Sequence, residues 1–195
     1  MYAVFCEEVM QGYDFAIDNR VCSHGQIIRF HLVNPEYYGV QDLEVPRINI
    51  LLIDSNIRQN RDERAQQTVE LKYSYPEFDL ILNSFDEISH KISTTLDEIN
   101  YNHNNHNLLY LQQNCYAHLQ IYIHNSQQML HNFGLSHPRF DTIASIARDF
   151  GFGGKLTGFG GGFAYILLPP SVSEEQITNL STRFMEEGFE ITMTS

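Results

Sequence analysis

Ile48-Asn49-Ile50-Leu51-Leu52-Ile53 is a short apolar run with Pro46 before it and Asp54-Ser55-Asn56 after it. Six residues closed at both ends by turn formers suit a buried strand better than a helix, so the run predicts a central strand. Upstream, the pattern predicts a short helix around residues 3–10 and a turn through Gly12. An extended segment follows, carrying Ile27, Ile28, Phe30 and Leu32 and ending at Asn34-Pro35. Downstream, residues 62–72 are polar and helix-compatible, and Pro76 stops them. Leu80, Ile81, Phe85, Ile88, Ile92, Leu96 and Ile99 then recur at three- and four-residue steps, the signature of an amphipathic helix. The polar run Asn100-Tyr101-Asn102-His103-Asn104-Asn105-His106-Asn107 reads as an exposed connection. Helical spacing resumes at Leu108 and lasts to Phe133, with Gly134 as the residue that ends it. The two long helices therefore form a hairpin.

Ser136 precedes Pro138, and Phe140, Ile143, Ala144, Ile146 and Ala147 make a third apolar stripe up to Gly151. Tyr165-Ile166-Leu167-Leu168 is strand-like and Pro169-Pro170 stops it. Ser173-Glu174-Glu175-Gln176 opens a further helix with a capping-box pattern, Gly188 closes it, and residues 189–193 alternate as a last strand. Strands on both sides of paired helices predict an α+β domain of two layers, with the long helices on one face of a mainly antiparallel sheet.

Twelve basic against twenty-four acidic residues leave a net charge of −12 over 195 residues. That balance repels phosphate backbones and anionic membrane surfaces, so the expected partners include neither nucleic acid nor membrane. Cys6, Cys22 and Cys115 form no CxxC pair, which argues against a disulfide scaffold and for a reducing compartment. The first twenty residues lack a basic start and a long apolar run, and no stretch is apolar for the roughly 18 residues a membrane helix needs. The expected location is the cytosol. The histidines show no zinc spacing, and no transition-metal site is expected from them.

The densest chemical signal is Lys155-Leu156-Thr157-Gly158-Phe159-Gly160-Gly161-Gly162-Phe163. Gly158, Gly160, Gly161 and Gly162 let a backbone turn sharply and approach an anion, while Lys155 and the Thr157 hydroxyl offer a charge and a donor. Two readings stay open at this point, a phosphate-binding loop and a tight hairpin without ligand. Walker A spacing is absent.

This string, followed by an apolar strand, resembles the C-terminal glycine motif of the GHMP small-molecule kinases, and its wording is closest to the members that act on mevalonate. Met129-Leu130 and Gly134-Leu135-Ser136-His137, similar to the family's Gly-Val-x-His turn, extend the likeness. So do Ile50-Leu51-Leu52 before a Ser-containing loop and Gly188-Phe189-Glu190. Near the start, Gly12-Tyr13-Asp14-Phe15-Ala16-Ile17-Asp18-Asn19 is similar to the family's Gly-Asn-Pro-Ser-Gly-Val-Asp-Asn. The resemblance then implies ATP and Mg2+ as cofactors and mevalonate as substrate. It makes Asp18 the catalytic aspartate and Glu7 the magnesium ligand, and Lys155, Thr157, Gly158, Gly160, Gly161 and Gly162 the lining of the cofactor site. It further implies that residues 1–45 are the end of an N-terminal kinase domain and residues 46–195 the C-terminal domain.

Departures from the family pattern are Asp14-Phe15-Ala16 for Pro-Ser-Gly, Gln11 for histidine, and Phe159 and Phe163 for small residues. Arg61, or a neighbour of it, stands where the family has a substrate-facing threonine. The family's Gly-Leu-Gly-Ser-Ser-Ala phosphate loop is not in these 195 residues. Two partners are therefore open, a second copy of the chain and the missing N-terminal half, and the alternative to a kinase is a non-catalytic binding or interaction module derived from one.

Overall fold

The structure, a computed structural model, describes residues 21, 25, 27–34, 37–58, 61–105, 109–158 and 162–194. The expected helix at residues 3–10 lies outside them. The chain divides into two compact units, Met1–Pro46 and Arg47–Ser195.

In the first unit, β1 (Ile27–Asn34) pairs antiparallel with β2 (Tyr37–Leu43), with Ile27 opposite Leu43 and Phe30 opposite Val40. The first strand was expected. The second is rich in aromatic and β-branched residues, which favour a pleated surface, and its ladder to β1 supplies the backbone partners.

The second unit is built on β3 (Asn49–Asp54), which is interior as expected. It lies between β5 (Phe163–Leu168) and β6 (Glu190–Thr194), and β4 (Gly154–Leu156) flanks β5, so the order is β4-β5-β3-β6. Every pairing is antiparallel. Side chains alternate across the sheet, so one register row aligns Leu156, Ala164, Ile53 and Ile191, and the next aligns Ile166 with Leu51. These residues form the core with Phe140, Ile143, Ile146, Ala147, Leu180 and Phe184.

Among the described residues of this unit, five helices accompany the strands: α1 (Arg61–Ser74), α2 (Phe78–Asn104), α3 (Leu109–Asn132), α4 (Pro138–Asp149) and α5 (Glu174–Glu186). The long pair, α2 and α3, packs as a hairpin, α3 lies along β4, and α4 and α5 supply the helical side chains of the core. The α+β architecture with an antiparallel sheet and paired long helices is thus present.

One local expectation changes. Residues 100–104 are not a connection but the last turns of α2. Their amides have partners that composition does not reveal: Asn104 Nδ2 donates to Asn100 Oδ1 at 3.2 Å, and Asn102 Nδ2 reaches Cys115 Sγ on α3 at 3.7 Å. At α4, His137 is the N-cap, its Nδ1 accepting the Arg139 N–H at 3.2 Å, and the Ser136 hydroxyl is turned to Asp141.

Gly134 does end α3, and the Leu135 N–H reaches back to Leu130 O at 2.8 Å. The capping box of α5 is also formed: Gln176 N–H donates to Ser173 Oγ at 3.1 Å and Ser173 N–H to Gln176 Oε1 at 3.0 Å. Ser173→Ala leaves the Gln176 amide without that acceptor, so urea unfolding should show a loss of about 1 kcal/mol. An unchanged midpoint would mean that water replaces the cap fully.

Candidate functional site

The site is built around the end of β3. Asp54 Oδ1 accepts the Asn56 N–H at 2.8 Å, which turns the chain sharply enough to put Asn56 at φ 57. Between them Ser55 is fully buried. Its N–H donates to Gly162 O at 2.8 Å and its hydroxyl to the same oxygen at 2.5 Å, while the hydroxyl oxygen accepts the Ile57 N–H at 3.3 Å.

From the other side come the two described ends of the glycine segment, Thr157 and Gly158 after β4 and Gly162 before β5. The Thr157 N–H closes it onto Phe163 O at 2.8 Å, and the Thr157 hydroxyl donates to that oxygen at 3.1 Å. Gly158 is exposed at φ 50, and Gly162 is buried at φ 79. A Cβ on Gly162 would stand 2.5 Å from Ile57 O, so this glycine is required both by its backbone angle and by the approach of the β3 loop.

Arg139, in the first turn of α4, completes the arrangement. Its Nε donates to Ser55 O at 2.6 Å, and its guanidinium lies 4.4 Å from the centre of the Phe189 ring. Asn56 Nδ2 donates to Gly188 O at 3.2 Å, so the turn before β6 is tied in as well. Four separate stretches of chain thus meet at one buried serine.

Lys155 is not part of the loop. It sits in β4 opposite Tyr165, half-buried on the sheet face away from the core. The structural reason is ladder pairing: residues 154–156 find partners on β5, and the turn begins only at Thr157. The Lys155 ammonium donates to Leu156 O at 3.2 Å, and burial pulls its pKa below the ordinary lysine value. Burial also pushes the Tyr165 hydroxyl up to about 12. A desolvated ammonium with no carboxylate partner among the described residues gains more from an approaching anion than a hydrated one does.

Of the residues singled out from the sequence, Thr157 and Gly162 hold the two ends of the glycine segment here, Gly158 follows Thr157 and is exposed, and Lys155 lies in β4 outside the loop. Gly160, Gly161, Glu7 and Asp18 lie outside the described residues. Among the described residues no group of three or more His, Cys, Asp or Glu could hold a metal, and no helix is long and apolar enough to cross a membrane. Ser55 and Arg139 were missed. The only sequence signal was the Asp-Ser-Asn string after β3, which reads as a simple strand stop.

No protein-family model matches the chain. Mevalonate kinase of Dictyostelium discoideum is 29% identical over 187 residues, spanning 94% of this chain and 46% of the relative. Mevalonate kinase erg12 of Aspergillus fumigatus is 28% identical over 197 residues, spanning 96% of this chain and 35% of the relative. This chain matches the C-terminal part of the mevalonate kinases. It therefore spans about half, or less, of the length of these relatives.

Solved structures agree on the fold. The L. major mevalonate kinase in complex with R-mevalonate superposes with a TM-score of 0.76 at 16% identity, covering 95% of this chain and 52% of that one. The Methanococcus jannaschii mevalonate kinase gives 0.67 at 20% identity, covering 97% and 53%. The fold is that of the GHMP kinases. In this mevalonate-kinase-like chain Gly162, the last glycine of the motif, is anchored at the end of the central strand.

Proposed function

We propose that this chain is the C-terminal part of an ATP-dependent phosphotransferase that moves the γ-phosphoryl group of ATP to the primary hydroxyl of mevalonate, in the isoprenoid branch of cytosolic lipid metabolism. The observation that carries this reading is the glycine turn held on Ser55 and Arg139, in a chain matched over 94% of its length by a mevalonate kinase. Phosphoryl transfer depends on positioning and charge neutralisation more than on covalent chemistry by the protein. Backbone amides of Gly158, Gly160, Gly161 and Gly162 would line the phosphate side, Thr157 would close the base of that loop, and Lys155 would contribute positive charge from β4. Asp18 would orient or deprotonate the mevalonate hydroxyl. Glu7 would hold magnesium, whose charge would offset that of the phosphates.

In this reading the principal phosphate loop belongs to an N-terminal half, which is the partner the chain requires. The second reading, a non-catalytic interaction module, is favoured by Phe163, 37% exposed, in a position where the resembling kinases have a small residue.

The purified 195-residue chain is expected to phosphorylate mevalonate no faster than background with ATP and Mg2+. Joined to an N-terminal half carrying the Gly-Leu-Gly-Ser-Ser-Ala loop, it should turn over. In that enzyme Asp18→Asn should lower kcat by roughly 10²–10⁴-fold with ATP affinity unchanged, as removal of a general base does. Normal turnover by the Asp18→Asn enzyme would refute the catalytic assignment. A joined protein that binds ATP but never turns over would favour the interaction module.

A further inference from the structure

An edge strand needs its outward backbone groups covered, and β4 is an edge of the sheet. One of these outward groups is covered by α3: Gln127 Oε1 accepts the Leu156 N–H at 3.1 Å. Three residues before it, Gln120 bridges the approach to β4 and the end of β5, its Oε1 accepting the Gly153 N–H and its Nε2 donating to Leu167 O at 3.0 Å. The spacing matches physically: seven helical residues rise about 10.5 Å, and three strand residues about 10 Å.

Gln127 is buried, 3% exposed, and its orientation is locked. Its Nε2 donates to Ser136 Oγ at 2.9 Å and to Asp141 Oδ1 at 3.3 Å, and the Ser136 hydroxyl donates to Asp141 Oδ1 at 2.7 Å. A flipped amide would set its oxygen against the Asp141 carboxylate and its NH2 against the Leu156 N–H, two repulsive contacts in place of attractive ones. His131 Nδ1, 2.8 Å from Asp141 Oδ2, engages the other carboxylate oxygen. Leu156 is the last residue of β4, directly before Thr157, whose N–H and hydroxyl close the glycine turn.

We infer that Gln127, oriented by Ser136 and Asp141, is a positioning residue that sets where the glycine turn starts and so aims its backbone amides at the phosphate groups of a nucleotide. The nucleotide part of this inference rests on the phosphotransferase reading; the positioning part does not. Gln127→Glu keeps an acceptor for Leu156 but places a second carboxylate against Asp141. Adding Asp141→Asn restores complementarity, since the new amide donates to the glutamate.

The test is amide hydrogen exchange on the full chain, with ATP titration of the chain joined to an N-terminal half alongside. Gln127→Glu is expected to speed exchange at Leu156 and Thr157 about tenfold, because repulsion from Asp141 pushes the new carboxylate away from the Leu156 N–H and weakens one buried hydrogen bond, with Leu51 and Ile53 unchanged. Gln127→Glu with Asp141→Asn should return to near the parent rate, and ATP affinity should fall and recover in the same order. Uniform acceleration that includes β3 would reduce Gln127 to a general stabiliser and overturn the proposal. So would a double variant no better than the single one. If the joined protein binds no ATP, the nucleotide part fails, and the exchange pattern still decides the positioning part.

Discussion

Gly162→Ala is expected to destabilise the chain by about 3 kcal/mol, measured by urea unfolding with linear extrapolation. Part of the loss is conformational: at φ 79 an L-residue costs roughly 1–2 kcal/mol. The larger part is steric. The new Cβ would meet Ile57 O at 2.5 Å, and a backbone oxygen cannot swing aside as a side-chain end can. Relief requires the β3 loop and the glycine turn to separate, which breaks both hydrogen bonds from Ser55 to Gly162 O. Ser55 is fully buried, so its freed donors find no water, a penalty of roughly 1–3 kcal/mol. Gly158→Ala is the matching control. Gly158 is exposed at φ 50 with nothing within 4 Å of its would-be Cβ, so only the conformational cost of about 1–2 kcal/mol remains. Equal losses in the two variants would show that the approach to Ile57 carries no energy.

Phe184→Ala should cost about 4 kcal/mol, the range for emptying a buried aromatic site. The ring is fully buried and meets Phe189 edge-on, with centroids 6.1 Å apart and planes at 79°. The other consequence reaches the candidate site. Phe189 carries the Arg139 guanidinium, and Arg139 holds Ser55 O, so a cavity at Phe184 loosens the same cluster that Gly162 closes. Residues linked through one network couple, so Phe184→Ala combined with Gly162→Ala should lose less than the sum of the two, by about 0.5 kcal/mol or more. A Phe184→Ala loss below about 2 kcal/mol would mean that the site collapses around the deletion. Strict additivity would mean that the aromatic pair and the glycine turn are energetically separate.

The features legible in the sequence are those decided within a few residues. Ile48-Asn49-Ile50-Leu51-Leu52-Ile53 suits a buried strand better than a helix, because its apolar run is short and has turn formers at both ends. Ser173 and Gln176 satisfy each other's backbone groups across three residues, so the start of α5 was visible before any fold was known. The three- and four-residue spacing of α2 and α3 marked two amphipathic helices for the same local reason.

Tertiary structure decided everything that depends on a distant partner. Lys155 and Leu156 are strand residues only because Tyr165 and Ala164 lie beside them. The last turns of α2 persist in an asparagine run because Asn102 meets Cys115 on the neighbouring helix. Ser55 looks like a turn residue in sequence, yet its hydroxyl and carbonyl are bound by groups 107 and 84 residues away. Such pairings depend on how the chain closes on itself, and no local periodicity encodes them. The sequence by itself therefore determined the elements and the family likeness of the glycine string, while only the packed fold decided that Ser55, Arg139 and Gln127 hold that string in place.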